Sequence, residues 1–296
     1  MGKLVQPVYR PPSEAYSLLI QATIGCSRAS CTFCASWLFN KRGIKKFSVR
    51  PREDIETDLV EARIDYGEDV NKIFFLDSNT IVMDTDDLRA LCEFSYSTFP
   101  NLERVGVYGC AKDILEKSVD ELKVLKDAGL GIIYMGLESG DDETLKLVHK
   151  GVTSEEQVKA GRMVMESGIP LSVTIILGLG GKKRWREHAQ LTANACSQIN
   201  PTYLGALTLM LVPGTPLKEE ADKGEFQLLD TYEVLEEMKL LIENLELDGC
   251  IFRSNHASNY LAIGGVLSQE KDEVLKTIQL GLDQKIGLRP DFLRGL

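Results

Sequence analysis

Apolar and polar positions along the chain alternate between short apolar runs and longer amphipathic stretches. The apolar or β-branched runs, which predict strands, are Ser17–Thr23, Lys72–Asp77, Arg104–Tyr108, Gly131–Leu137, Leu171–Leu177 and Tyr203–Leu211. The amphipathic stretches, which predict helices, are Pro51–Tyr66, Asp84–Ser97, Ser118–Ala128, Asp141–His149, Ser154–Ser167 and Trp185–Gln198. Near-continuous apolar strands that alternate with helices predict a parallel sheet covered by helices.

Local signals mark the ends of several predicted helices. Pro51 precedes an acidic first turn, and Gly67 stops the same helix. Thr153 and Glu156 have the spacing of a capping box at the start of the fifth helix.

Three segments follow from this pattern. Residues 1–16 predict an extended arm, because three prolines oppose a helix there: Pro7, Pro11 and Pro12. Residues 17–216 hold the six strand–helix repeats, two fewer than a closed eight-stranded barrel needs. Residues 217–296 predict an attached cap with these elements: helices at Asp230–Asn244 and Gln269–Gly281, and a strand-like run at Cys250–Ser254.

Composition narrows the function classes. A chain of 296 residues with 44% hydrophobic residues is long enough for one large or two small domains. Its net charge of -10 disfavours nucleic acid as the main partner. The longest apolar runs, Leu171–Leu179 and Leu204–Val212, are about half a membrane span, so no membrane partner is expected. Seven cysteines, an odd number, and no export signal predict a reducing cytoplasm.

Three of the cysteines lie close together, at Cys26, Cys31 and Cys34, in the spacing C-x4-C-x2-C. The residues between them are mostly polar, which argues against core packing and for a ligand set. Structural zinc would need a fourth close ligand, and none follows. An iron–sulfur cube normally takes four thiolates, so three thiolates leave one iron open.

The loop from Gly25 to Cys34, with Phe33 just before the last cysteine, resembles the cluster loop of radical S-adenosylmethionine (radical SAM) enzymes. The branch it resembles contains oxygen-independent coproporphyrinogen oxidases and methylthiotransferases. The usual motif has three residues between the first two cysteines, whereas this chain has four, Ser27–Ser30. The resemblance implies a partial (β/α)6 TIM-like barrel with a C-terminal helical cap, and the repeat count agrees with it independently.

The resemblance also implies the cofactors. The three cysteines would hold a [4Fe–4S] cluster whose open iron binds S-adenosylmethionine. One electron, from a donor such as flavodoxin or ferredoxin, then gives a 5′-deoxyadenosyl radical that takes hydrogen from the substrate.

Further site residues follow from the same resemblance, at the carboxyl ends of the strands, where such barrels place function. It sets Ser78 and Asn79 at the amino group of the cofactor, Glu138 against the cofactor, and Lys150 at its carboxylate. It also places the turn at Gly178 near the adenine, with Phe33 among the cofactor-binding residues. Each motif also has a plainer interpretation: a helix-capping turn at Ser78 and Asn79, a solvated carboxylate at Glu138 and a surface amine at Lys150.

Two glycine-containing turns follow the fifth and sixth predicted strands. Gly178–Arg184 does not fit a phosphate loop or a dinucleotide fingerprint. Val212–Pro216 resembles the turn after the sixth strand in the same enzyme branch.

Polar residues that follow the strand-like run of the cap are the candidate catalytic residues: Arg253, Asn255 and His256. They predict either a capped loop or a substrate-facing lid, and the sequence favours neither. Of the other histidines, His188 is predicted to be a surface residue of a helix, and His149 fits either role because it is next to Lys150.

The expected function is hydrogen abstraction from a small molecule in cofactor or tetrapyrrole biosynthesis. The sequence has no second cysteine cluster and no added domain for cobalamin or RNA, which disfavours other branches. Two alternatives remain: an RNA-modifying radical SAM enzyme, and a non-catalytic module that binds a cluster or the cofactor.

Overall fold

The structure, a computed structural model, describes residues 4–6, 8–39 and 46–295. Residues 1–3 and Pro7 of the predicted arm lie outside the described residues. In the rest of the arm, Pro12–Glu14 form one 3-10 turn, because a proline is accepted in the first turn of a helix. Val5 is hydrogen-bonded through its backbone to the side chain of Gln21, so this end of the arm lies against the first strand.

The strands and helices are as follows. The strands are β1 (Leu18–Gln21), β2 (Thr23–Ile24), β3 (Ser48–Val49), β4 (Lys72–Leu76), β5 (Arg104–Gly109), β6 (Leu130–Glu138), β7 (Leu171–Leu177), β8 (Tyr203–Thr208), β9 (Ile251–Ser254) and β10 (Ile263–Val266). The helices are α1 (Arg52–Tyr66), α2 (Thr85–Thr98), α3 (Ala111–Leu115), α4 (Val119–Asp127), α5 (Asp142–Leu147), α6 (Ser154–Ser167), α7 (Gly181–Ile199), α8 (Pro216–Asp222), α9 (Thr231–Asn244) and α10 (Lys271–Leu282).

Within the described residues, the main sheet has eight strands in the order β1-β4-β5-β6-β7-β8-β9-β10, and β2 pairs with β3 in a second sheet. β9 is parallel to β8, and the last strand of the sheet, β10, is antiparallel to β9. The predicted α/β class is confirmed. Two strands from the predicted cap belong to the sheet, which the repeat count did not show. β10 was missed because it contains Gly264 and Gly265, and glycine is a weak strand signal.

The chain forms two compact units. The first consists of the described residues within Met1–Ala29, Leu38–Met135 and Met163–Leu171, and the second of Ser30–Trp37, Gly136–Arg162 and Ser172–Leu296. In the first, large side chains with no exposed surface include Phe74, Phe75 and Phe99. In the second, the helices from the C-terminal part pack together, α9 lying against both α7 and α10. The predicted division at residue 216 stays a prediction.

Helix ends follow the local signals. The backbone N–H of Glu156 donates to Thr153 Oγ1 at 3.2 Å, and that of Thr153 donates to Glu156 Oε2 at 2.8 Å, which confirms the capping box. None of the helices in the described ranges is both long enough and apolar enough to cross a membrane.

Candidate functional site

The first part of the cysteine loop is tied to the end of β4. Gly25, with φ 81°, makes the turn before Cys26, and its N–H donates to Asp77 Oδ2 at 3.4 Å. Gln21 Nε2 donates to the same oxygen at 3.2 Å, and the Asp77 N–H donates to Thr23 Oγ1 at 2.9 Å. Asp77 is 1% exposed, and burial raises its pKa to about 6 although both of these donors oppose the change. Its Oδ1 has no hydrogen-bond partner within the described residues.

Asn79, two residues further on, is a hydrogen-bonding centre with no exposed surface. Its Nδ2 donates to Ser27 Oγ at 2.6 Å and to Asp113 Oδ2 at 2.7 Å. Its Oδ1 accepts the N–H of Cys110 at 2.9 Å. Arg28 Nη2 lies 2.9 Å from Asp113 Oδ1 and completes the network. Two residues between the first pair of cysteines are thus anchored in the first unit.

This network changes the interpretation of Asn79. The side-chain amide predicted to meet the cofactor is already bonded to protein groups at both its oxygen and its nitrogen. Asn79 occupies the N-cap position of the 3-10 turn Thr80–Val82, but its side chain makes no capping hydrogen bond, so the plainer interpretation does not describe its contacts. Its contact with the cofactor stays a prediction. Ser78 beside it is half-buried.

The second part of the cysteine loop is held by backbone groups of the second unit. Ser30 Oγ donates to the carbonyl of His149 at 3.0 Å, and the Thr32 N–H donates to that of Val148 at 3.0 Å. The N–H of Leu217 in turn donates to the Thr32 carbonyl at 3.1 Å. His149 has φ 52° and an exposed side chain, so its carbonyl rather than its imidazole makes this contact.

The two cysteines of this segment share a tight turn. The Cys34 N–H donates to the Cys31 carbonyl at 3.2 Å. The Ser36 N–H lies 3.5 Å from Cys34 Sγ, where it serves as a donor to sulfur. N–H donors to thiolate sulfur are one of the factors that set the potential of an iron–sulfur cluster.

Phe33 packs on a hydrophobic cluster of the same unit while remaining half-buried. The cluster is Val148, Leu179, Leu209, Leu217 and Phe226. Phe33 therefore anchors this end of the loop through its contacts with the hydrophobic cluster.

Glu138 and Lys150 form an ion pair with 3.1 Å between Oε1 and Nζ, and their side chains are 14% and 17% exposed. Glu138 is the last residue of β6 and has φ 63°, a left-handed conformation unusual for a residue with a side chain. Gly136 makes room for the pair, because a Cβ there would collide with Glu138 Oε1. The sequence analysis named both residues as cofactor contacts. The structure shows that they are paired, although twelve positions separate them in the chain.

The turn after β7 is fixed by a buried His–Glu pair. Gly178 has φ 83°, and its N–H donates to Glu237 Oε2 at 2.6 Å. Glu237 Oε1 lies 2.7 Å from His188 Nδ1, and the two residues are 0% and 1% exposed. The prediction that His188 is a surface residue is wrong. Its carboxylate partner lies 49 positions later on α9, so no local pattern could have shown that the ring is buried.

The loop after β9 is tied down at both ends. His256 Nδ1 lies 2.9 Å from Ser258 Oγ, and the Thr208 N–H at the end of β8 donates to that same oxygen at 3.1 Å. Burial, with the charge of Arg289 second, lowers the pKa of His256. Arg289 Nη1 donates to the His256 carbonyl at 2.9 Å, and Arg294 Nε to the Ser258 carbonyl at 2.7 Å. Sequence reasoning missed both arginines, because bonds to backbone carbonyls leave no residue pattern.

The lid hypothesis for this loop stays a prediction. Arg253 and Asn255 are exposed, and His256 is half-buried in a locally capped turn. The capped-loop interpretation therefore describes the contacts of His256.

The cluster ligands are assigned from the chemistry of cysteine thiols and from their spacing in the sequence, and not from the distances between them in the structure. All three cysteines of the loop are half-buried and none forms a disulfide. No three or more His, Cys, Asp and Glu side chains of the described ranges are gathered as a metal-binding group. Three thiols on a short, anchored loop nevertheless fit an iron–sulfur cluster, whose usual ligands are cysteine thiolates.

Comparison with known proteins decides the family. The model of the Radical SAM superfamily matches residues 20–191, more than half of the chain. The chain belongs to the radical SAM superfamily.

Two curated proteins similar to this radical SAM chain come from archaea. An uncharacterized protein of Methanocaldococcus jannaschii is 28% identical over 281 residues, covering 93% of this chain and 81% of that protein. An uncharacterized methyltransferase of Pyrococcus horikoshii is 25% identical over 234 residues, covering 74% of this chain but 48% of that protein. The chain therefore spans about half the length of the second relative.

Solved radical SAM structures share the fold. Methylornithine synthase superposes with a TM-score of 0.53 at 16% identity, covering 78% of this chain and 63% of its own. Coproporphyrinogen III oxidase from Escherichia coli, a radical SAM enzyme, superposes with a TM-score of 0.54 at 18% identity, covering 77% and 51%. The predicted partial barrel of the radical SAM type is confirmed. Enzymes of this family use a [4Fe–4S] cluster and S-adenosylmethionine.

Proposed function

We propose that the protein cleaves S-adenosylmethionine reductively and uses the resulting 5′-deoxyadenosyl radical to take a hydrogen atom from a small-molecule substrate. One observation carries the proposal. The cysteine segment Ser30–Thr32 is hydrogen-bonded to Val148 and His149, the two residues before Lys150. Two of the loop thiols, those of Cys31 and Cys34, and a half-buried cation therefore lie in one compact unit, which suits binding of the cofactor's carboxylate beside a cluster.

The roles of the loop residues follow from their chemistry. Cys26, Cys31 and Cys34 would supply thiolates to the cluster, and three thiolates would leave one iron for the cofactor. When bound and reduced, the cluster supplies the electron that breaks a carbon–sulfur bond of the sulfonium, giving methionine and the radical.

Lys150 and Glu138 are placed to bind the amino-acid end of the cofactor. The ammonium has three donors, so it can keep its bond to Glu138 and donate to a carboxylate as well. The side chain of Asn79 is fully engaged, so the proposed contact of this strand end with the amino group falls to Ser78 and to backbone carbonyls. The glycine turn at Gly178 lets a backbone approach the adenine closely, and Phe33 borders the same site.

The substrate we propose is of the cofactor or tetrapyrrole type, and composition favours a small molecule over a nucleic acid. The net charge of -10 opposes a phosphate backbone. Cysteines that form no disulfide suit a reducing cytoplasm, where flavodoxin or ferredoxin would supply the electron.

Anaerobic reconstitution with iron and sulfide tests the proposal. The protein is then incubated with dithionite and S-adenosylmethionine, and 5′-deoxyadenosine is measured against a variant with alanine at all three loop cysteines. We expect the wild type to form 5′-deoxyadenosine and the variant to form none.

Two other outcomes separate the alternatives. A wild type that takes up iron and binds the cofactor at equilibrium but forms no 5′-deoxyadenosine favours a binding module and contradicts the proposal. A gel shift with transfer RNA that weakens as salt rises, together with turnover that depends on that RNA, points to an RNA substrate.

A further inference from the structure

A row of four residues crosses β7 to β10 on one face of the sheet. The strand register pairs Thr174 with Gly205, Gly205 with Arg253, and Arg253 with Gly264. Residues paired directly across neighbouring strands share a face. The row therefore forms one continuous strip in the second unit.

This face of the sheet is the more exposed of the two. Residues of the opposite face are buried along all four strands, and Gly265 there lies against Glu270 and Val274 of α10. In the row itself, Thr174 and Gly205 are half-buried and Arg253 is exposed. Solvent and small molecules can reach the strip.

Glycines on both neighbouring strands shape the surroundings of Arg253. A Cβ at Gly264 would lie 2.8 Å from both Cδ and Nη1 of Arg253, so the arginine stem lies flat on that glycine. A Cβ at Gly205 would meet nothing closer than the Val173 carbonyl oxygen at 3.8 Å, so open space lies on the other side. The strip therefore forms a shallow trough over Gly205, with the Arg253 guanidinium along one side.

The guanidinium of Arg253 is not neutralised by a carboxylate. Its Nη1 donates to the carbonyl of Phe252 at 2.8 Å. Of the acidic side chains in the described ranges, none forms a salt bridge with it, although the chain has 44 acidic residues and 34 basic ones. Arg184, by contrast, pairs with Asp141 at 2.7 Å. A guanidinium with free donors in an accessible trough suits a carboxylate or a phosphate, which it can bind through two parallel hydrogen bonds.

The next level of the same face is apolar. Ile176 on β7 pairs with Leu207 on β8, two residues nearer the carboxyl ends of the strands than Thr174 and Gly205. Two residues along a strand span roughly 7 Å. Gly178, the turn assigned above to the adenine, follows two residues after Ile176.

We propose that Arg253 binds an anionic group of the substrate, a carboxylate or a phosphate monoester, with the Thr174 hydroxyl as a second donor. The apolar part of the substrate then lies along Ile176 and Leu207, and its reacting carbon lies toward the carboxyl ends of the strands. This assignment of substrate class rests on the proposed function. It excludes substrates that are neutral throughout.

Chemical modification of the reconstituted protein tests the anion site directly. Phenylglyoxal modifies accessible arginines, and peptide mass spectrometry gives the rate at each one. We expect inorganic phosphate, and separately succinate, to slow modification of Arg253 several-fold relative to sodium chloride of equal ionic strength. Arg186, which is exposed and stacks on Trp185, is the internal control and should react equally fast in all three.

A variant that fills the trough distinguishes anion binding at Arg253 from general electrostatic screening by the added salt. Gly205→Leu adds a side chain in open space beside Arg253 without removing the arginine, and leucine is better suited to a strand than glycine. We expect the variant to fold with an unchanged melting temperature and to lose the protection by phosphate and succinate. Protection that persists in this variant, or wild-type Arg253 that neither anion protects, would overturn the proposal.

Arg253→Gln and Arg253→Lys give a second measurement. A ligand that binds the folded state raises its melting temperature. We expect the shift caused by phosphate to vanish in the Gln variant and to be partly kept in the Lys variant, and equal shifts in all three proteins would contradict the inference. Formation of 5′-deoxyadenosine by the same preparations tests the proposed function separately, because it requires no substrate anion.

Discussion

Lys150 carries the charge that the proposed binding of the cofactor carboxylate needs. Replacing it by alanine should raise the dissociation constant of S-adenosylmethionine about tenfold or more, since a hydrogen bond to a charged group contributes about 1.5–3 kcal/mol. Equilibrium binding to the reconstituted protein measures this. Lys146→Ala is the matched control, because that exposed lysine pairs with Glu143 on the same helix. Equal losses in both variants would count against the role of Lys150.

Asn79 holds the cysteine loop through the amide that sequence reasoning had assigned to the cofactor. Asn79→Ala removes the partner of a buried N–H and should lower the free energy of unfolding by about 1–3 kcal/mol. Asn79→Asp should cost more, because it sets a second carboxylate beside Asp113. Denaturant unfolding of the metal-free protein checks the order. Iron uptake should also be slower in both variants, and normal uptake would show that the loop does not need this anchor.

Asp77 makes stability depend on pH. Its pKa rises from the ordinary 3.8 to about 6 on folding, so the folded state holds the proton more tightly than the unfolded chain. Its ionisation therefore lowers stability between about pH 4 and 6 and costs about 3 kcal/mol above that range. Asp77→Asn removes the ionisable group.

In the metal-free protein, Asp77→Asn should be more stable than wild type at pH 8, and the gap should close toward pH 4. Urea unfolding at a series of pH values measures the gap. Asp127→Asn, at an exposed site, serves as the control. A gap that is constant with pH would show that Asp77 keeps an ordinary pKa.

Among the helices, α7 and α9 are joined by the buried pair of His188 and Glu237. Removing one member of a buried pair leaves the other unsatisfied and typically costs 3–5 kcal/mol. Glu237→Ala should lower the free energy of unfolding by about that amount and free the N–H of Gly178. Lys239 and Glu243, an exposed pair on the same helix with 3.8 Å between their charged atoms, supply the control.

Alanine at Glu243 should change stability by less than about 1 kcal/mol, because exposed pairs contribute little. A double-mutant cycle of His188→Ala and Glu237→Ala should show strong coupling. Additive effects would mean that the two side chains act independently.

Elements with strong local signals could be predicted from the sequence, and those defined by distant partners could not. The Ser154–Ser167 helix and the Leu171–Leu177 strand have the predicted bounds, because capping residues and an apolar run mark them. Helix α3 has five residues, too few for a periodic pattern, and was missed. At the site, spacing revealed the cysteine loop, and the resemblance singled out Glu138 and Lys150 as cofactor contacts, whereas their ion pair was not predicted. The burial of His188 depends on a carboxylate contributed by another helix.

Across the whole molecule, the cysteines divide into two groups by accessibility. Burial raises the pKa of Cys92 and of Cys250 to about 12, and raises that of Cys196 as well, so none of these thiols should react near neutral pH. The cysteines with partly accessible side chains are Cys26, Cys31, Cys34 and Cys110.

Iodoacetamide should therefore alkylate those four in the native metal-free protein. After reconstitution, Cys110 should remain reactive while the three loop cysteines are protected, and peptide mass spectrometry can follow each site. Protection of Cys110 in place of a loop cysteine would contradict the ligand assignment.

The space kept free by Gly136 also constrains how this chain can vary over evolution. A Cβ at that position would lie 2.2 Å from Glu138 Oε1 and 3.3 Å from Lys150 Nζ, so any side chain there requires the pair to shift. In descendants that keep the Glu138–Lys150 pair, position 136 should stay glycine, and substitutions there should follow loss of the pair rather than precede it. We therefore expect substitutions at the three positions to occur together in homologues.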